Sequence, residues 1–310
     1  ILPALSFAEG KGIYGKDNRL DQFQMSARMK ELSASVVSLW KSSSVTAEGS
    51  GFKLKTMKYG DKDFGEDRTL CPGEAFREQA SGARCSGSLV GEDLVMTAGH
   101  CINSEEQCAN TTLVFGFAIN KEGEEAVTTV PAANVYSCSK IVKRFLSGAL
   151  GSAGQSRGPD YALITLDRKV TGRKPLPVNR GTSLKEGDGL FVIGYPHGLP
   201  VKLAGDAKVR DPYMSGYFVA DLDTFSGNSG SPVFNAATNK IEGIMVRGDR
   251  DFAFSPAGCV TMVTYEPTNG RGEDVTKVGE LSSCIPRLSG EKAEDLSGEK
   301  LETRDMDSSA

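Results

Sequence analysis

The octapeptide Gly227-Asn228-Ser229-Gly230-Ser231-Pro232-Val233-Phe234 sets one serine among glycines, just ahead of an apolar run. Glycines on both sides let the backbone turn sharply and approach a substrate closely. Pro232, Val233 and Phe234 read as the start of a buried strand that holds the turn rigid. A serine so placed can present its hydroxyl as a nucleophile, while N–H groups of the same turn face a developing oxyanion. That hydroxyl needs a base, and the chain has two histidines, His100 and His197. His100 lies in Thr97-Ala98-Gly99-His100-Cys101, and Asp160 opens the apolar run Asp160-Tyr161-Ala162-Leu163-Ile164. Each piece has a plainer reading when taken singly. Gly-Ser turns are common, a histidine at a strand end is more often packed or at the surface, and an aspartate opening a strand is usually a turn or cap residue.

These residues require elements to position them. Cys85–Val90 and Leu94–Ala98 read as two strands joined by the turn Gly91-Glu92-Asp93, with His100 and Cys101 directly after the second. A hairpin of this size brings Cys85 and Cys101 near each other, and a disulfide between them would brace the loop that carries His100. Further strands are expected at Ser35–Trp40, Thr112–Ile119, Val127–Val130, Lys140–Phe145, Leu190–Pro196, Tyr217–Leu222, Ser231–Phe234 and Lys240–Arg247. Burial of Tyr161–Leu166 would shield the Asp160 carboxylate. Cys108 and Cys138 flank predicted strands and form a second candidate pair. Asn18 is placed to cap a helix over 19–32, residues 41–70 read as a turn-rich connection, and 147–154 as a flexible surface loop. His197 sits in the turn Pro196-His197-Gly198-Leu199-Pro200, a rival imidazole without a comparable setting.

Composition bounds the rest. With 310 residues, 25% charged and 39% hydrophobic, the chain is ordinary globular material, long enough for two cores. No apolar run reaches the length of a membrane span. A net charge of −4 gives no argument for nucleic acid or an anionic membrane. Seven cysteines without a Cys-x-x-Cys pair point to disulfides in an oxidising compartment and away from a metal-binding module; the odd number leaves at least one unpaired within the chain. Residues 1–12, with Ser6 and Ala8 after an apolar stretch, read as a signal-peptide remnant and leader, which points to a secreted or periplasmic protein. Leu288–Lys292 recurs as Leu296–Lys300, and from Glu291 onward there are seven acidic and three basic residues, so 287–310 is expected to be an acidic, disordered tail. No cofactor and no metal is called for.

Thr97-Ala98-Gly99-His100-Cys101, Asp160-Tyr161-Ala162-Leu163-Ile164 and Gly227-Asn228-Ser229-Gly230-Ser231-Pro232-Val233, in that order, resemble the trypsin/chymotrypsin superfamily of serine endopeptidases. The Cys85 to Cys101 interval matches that family's disulfide beside the histidine. Gly194-Tyr195-Pro196 and Asn228 are more similar to the bacterial branch with the V8-like glutamyl endopeptidases. The resemblance spans roughly residues 30–255. It implies an all-β fold of two six-stranded antiparallel barrels, the first at about 30–170 and the second at about 175–285 of a 13–286 peptidase unit, with the active site in the cleft between them. It further implies a triad of His100, Asp160 and Ser229, an oxyanion hole from the N–H groups of Gly227 and Ser229, and protein or peptide substrates. In the pancreatic-type enzymes an aspartate precedes the serine and pairs with a new N-terminus. Asn228 stands there in this chain, so that switch cannot operate.

The resemblance also carries a specificity pocket. The residue six before the serine, Asp223, would lie at the pocket base and favour Arg or Lys before the scissile bond, since an uncharged side chain would leave a buried carboxylate without a partner. Thr224 falls where the V8-like enzymes place a threonine, which favours the competing glutamyl reading. Those enzymes place a histidine where Met245 stands, and Arg247 could supply positive charge or neutralise Asp223. A catalytically silent binding protein on the same fold is the remaining alternative, although all three triad positions are filled.

Overall fold

In the computed structural model residues 12–147, 158–181 and 183–291 are described. Strands β1 (Val36–Lys41), β2 (Cys85–Leu89), β3 (Leu94–Thr97), β4 (Thr111–Phe115), β5 (Val135–Leu146) and β6 (Asp160–Leu166) pair antiparallel in the order β4-β5-β6-β3-β2-β1 and close on themselves. Closure leaves no edge strand, and inward side chains fill the lumen. Val37, Leu39, Val95, Leu113 and Ile164 have no exposed surface there. Strands β7 (Gly189–Gly194), β8 (Lys202–Asp211), β9 (Tyr217–Ala220), β10 (Pro232–Asn235), β11 (Ile241–Arg247) and β12 (Glu273–Lys277) run β7-β10-β11-β12-β9-β8, and a β7–β8 pairing closes the second ring. Its core is Val192, Phe218, Val233, Met245 and Val275 with their neighbours. The two six-stranded antiparallel barrels implied by the resemblance are the fold of the chain.

Two second-barrel strands, β8 and β12, were not anticipated. Both are rich in charge, Lys-Leu-Ala-Gly-Asp-Ala-Lys-Val-Arg-Asp and Glu-Asp-Val-Thr-Lys, and neither shows an apolar run. Their place comes from pairing with distant strands. The helix expected over 19–32 is shorter, Ala27–Ser33, with Ser26 accepting the Met29 N–H as its cap. Asn18 caps nothing; its amide donates to Gly205 O and its backbone N–H points to Asp223. Within 41–70 a hairpin forms from Val45–Glu48 and Gly51–Leu54, and Thr129–Pro131 extends it.

Cys85–Cys101 and Cys108–Cys138 are bonded, as is Cys71–Cys259, which was not foreseen; Cys284 is left as an exposed thiol. The leader over 1–11, the loop over 148–154 and the tail from 292 lie outside the described residues. Among the described residues no helix is long and apolar enough to cross a membrane.

Candidate active site

Strand β2 carries the attachments of both loops that hold the candidate residues His100 and Ser229. Cys85, its first residue, is bonded to Cys101, the neighbour of His100. The next residue, Ser86, donates its backbone N–H to Ser229 O at 2.8 Å, and its hydroxyl donates to Gly227 O at 2.8 Å. Two consecutive residues on one buried strand therefore fix the His100 loop of the first barrel and the Ser229 loop of the second. Cys101 Sγ lies 3.6 Å from Ser229 O, and within 4.8 Å of a His100 ring nitrogen. Both sulfurs of this Cys85, His100 and Cys101 grouping are held in the disulfide, so it offers no thiolate to a metal.

Asp160 opens β6 and is buried, whereas the His100 side chain keeps 23% of its surface. Asp160 Oδ2 sits 2.6 Å from His100 Nδ1, and Oδ1 accepts the His100 backbone N–H at 3.1 Å. This double attachment fixes ring and main chain together. With the proton on Nδ1, Nε2 is the acceptor. Thr276 on β12 holds Asp160 from the other barrel: its hydroxyl donates to Asp160 O and accepts the Asp160 N–H, both at 2.9 Å. Ser229 Oγ is 3.5 Å from Val246 O at the end of β11. Gly227 at φ +93° and Gly230 at φ +91° shape the turn around it. At Gly230 a Cβ would collide with Ser86 O, so no side chain fits.

The residues proposed for a specificity pocket have defined partners. Asp223 is buried and accepts the backbone N–H groups of Tyr14 at 2.7 Å and Asn18 at 3.4 Å. Burial pushes its carboxyl up to about 7, against the pull of those two donors. Thr224 donates its hydroxyl to Glu273 Oε2 at 2.6 Å and lies 3.8 Å from the buried Met245 sulfur. Arg247 reaches Gly158 O and Asp274, whose carboxylate is 3.6 Å away, so its described contacts do not neutralise Asp223. Sequence reasoning missed Glu273. This fully buried carboxylate lies so close to Gly248 that a Cβ there would collide with it, and it accepts the Asp249 N–H at 3.3 Å. Nothing in Gly272-Glu273-Asp274 marks it locally; only the β11–β12 register brings it beside the segment after Val246. The rival His197 is buried among aromatic rings. Burial holds its imidazole below the ordinary range.

Comparison with known proteins accords with this geometry. The family described as trypsin-like peptidase domain matches residues 85–244. Glutamyl endopeptidases of Staphylococcus aureus strains MRSA252 and MW2 are each 28% identical over 160 residues, 51% of this chain and 41% and 45% of theirs. The chain thus spans less than half the length of these curated relatives. Among solved structures, neuropsin, a serine protease expressed in the limbic system of mouse brain, superposes with a TM-score of 0.50 at 14% identity, covering 82% of this chain and 94% of that one.

Proposed function

The chain belongs to the trypsin-like peptidase domain family, and on that premise we propose that it is a serine endopeptidase acting through Ser229, His100 and Asp160. The observation that carries the reading is the 2.6 Å contact of a buried Asp160 carboxylate with His100 Nδ1. Ser229 Oγ attacks the peptide carbonyl while His100 Nε2 takes its proton, and Asp160 favours the resulting imidazolium. Negative charge on the carbonyl oxygen is met by the N–H groups of Gly227 and Ser229, a stabilisation worth about 3–4 kcal/mol per donor in comparable sites. His100 then protonates the leaving amine, and water, activated by the same imidazole, releases the acyl group from Ser229. Replacing Ser229 or His100 by alanine is expected to cost several orders of magnitude in kcat/KM, because the members act as a unit. Near-normal turnover by folded His100→Ala would defeat the assignment, whatever His197→Ala does.

The substrate side chain before the scissile bond is proposed to be basic. Asp223, six residues before Ser229, and Glu273, on the strand paired with β11, are two buried acidic side chains, while Arg247 is engaged by Asp274. The glutamyl reading rests on the relatives' names and on Thr224, but the Thr224 hydroxyl is directed to Glu273 and Met245 supplies no cation. On matched peptides with Arg, Lys, Glu and Leu at that position, kcat/KM should be highest for Arg or Lys; a Glu preference overturns the choice. Three disulfides among the described residues support an extracytoplasmic location.

A further inference from the structure

His197 is a buried imidazole outside the triad, and its backbone stands in the left-handed region at φ +50°. Such a conformation costs a side-chain-bearing residue of order 1 kcal/mol and persists only where its surroundings determine it. Here they do. Tyr59, Phe64, Phe225 and Phe252 enclose the ring, with centroids 4.8–5.8 Å away. Its carbonyl accepts the Ser81 hydroxyl at 2.7 Å. Its Nε2 lies 2.9 Å from Asp251 Oδ2, with both side chains 8% exposed.

Both partners converge on one residue, Ser226, immediately before the oxyanion-loop glycine. The His197 backbone N–H donates to Ser226 O at 2.5 Å. Asp251 Oδ2, the atom facing His197 Nε2, accepts the Ser226 N–H at 3.0 Å. The described residues contain no cis peptide, and in a trans peptide the C=O and the following N–H point opposite ways. Because Ser226 O is turned inward to His197, the Gly227 N–H is turned outward. Among the described residues no acceptor takes it.

We infer that the buried His197–Asp251 pair is a positioning device that fixes the Ser226–Gly227 peptide, so that the Gly227 N–H stands ready to bind an oxyanion. The inference rests on Ser229 being the nucleophile. It supplies the device missing since Asn228, and no aspartate, precedes that serine. Burial keeps the imidazole below its ordinary pKa, and so neutral near pH 7, with Nε2 packed against the Asp251 carboxylate at 2.9 Å. The ring locks the left-handed backbone, the backbone N–H holds Ser226 O, and Asp251 ties the other face of the same residue.

The test compares wild type, Ser229→Ala, His197→Ala, His197→Gln, Asp251→Asn, Asp251→Ala and the double alanine variant. Each is assayed for kcat and KM with one peptide substrate and for inhibition by a peptide aldehyde, whose adduct places an oxyanion in the hole. Active wild type and inactive Ser229→Ala establish the nucleophile separately. His197→Ala and Asp251→Ala should each lower kcat on the order of 10²-fold, the loss for one oxyanion donor, with KM changed little. Aldehyde affinity should fall with kcat/KM. The double variant should be no worse than either single one, since both act on one peptide, and His197→Gln should recover part of the loss because its amide can reach Asp251. If His197→Ala does not fold, Asp251→Ala, which removes the acceptor of the Ser226 N–H, carries the test. Wild-type kcat in folded His197→Ala or Asp251→Ala, or a kcat loss with undiminished aldehyde affinity, overturns the inference.

Discussion

Asp223 shows how much a single buried group can say about the site. Its carboxyl is pushed up to about 7 chiefly by desolvation, although Tyr14 and Asn18 both donate to it. Between about pH 4 and pH 7 the folded chain therefore holds a proton that the unfolded chain has released. Stability must fall as pH rises through that window, by about 1.4 kcal/mol for each pH unit between the unfolded and folded pKa values. Asp223→Asn, which cannot titrate, is expected to flatten the slope in denaturant unfolding between pH 4 and 8. A slope identical in the two proteins would show that the proton is held elsewhere. The same geometry changes the role read from the sequence: Asp223 anchors the N-terminal segment through Tyr14 and Asn18, and Glu273 accepts the hydroxyl of the next residue, Thr224. Position relative to the serine made Asp223 legible. Glu273 was not, because its importance depends on a register with β11 that no local pattern records.

At the level of the element, β2 links the two loops through Cys85 and Ser86. The disulfide from Cys85 closes a short loop, with a sequence separation of 16, and is expected to contribute roughly 3 kcal/mol by restricting the unfolded chain. Paired Cys85→Ser and Cys101→Ser substitution should lower stability by about that amount and reduce kcat more than KM, since His100 loses its brace. Non-reducing peptide mapping that finds either thiol free in the wild-type protein contradicts the account. The β2–β3 hairpin was readable because its apolar residues, turn and cysteines are consecutive. Strands β8 and β12 were not, since charged side chains interrupt both and their buried residues become apparent only after the barrel closes. The Ser26 cap was missed for a related reason. Asn18 offers the same side-chain chemistry, but its backbone N–H is drawn to Asp223 on the far side of the fold.

Over the whole molecule, residues near the start of the chain clasp the second barrel around the loop from Asp223 to Ser226. Gly12 O accepts the Thr224 N–H, and Ile13–Tyr14 pair in parallel with Thr264–Tyr265. Arg19 lays its guanidinium 4.4 Å from the Phe225 ring, and Leu20–Asp21 add to β8. Asp21 also meets Lys202, whose ammonium burial draws down to about 8. Contacts separated by some two hundred residues leave no periodic trace, so this clasp was invisible where the triad motifs were plain. Its consequence is a loop held from both ends, by the clasp at Asp223–Phe225 and by His197 and Asp251 at Ser226, a few residues before the serine on which the account depends. The most direct measurement is labelling of folded protein with a fluorophosphonate, followed by peptide mapping of the adduct. One adduct is predicted, on Ser229, formed slowly or not at all in His100→Ala. An adduct on another residue, or folded wild-type protein that does not react, would contradict the assignment of the site.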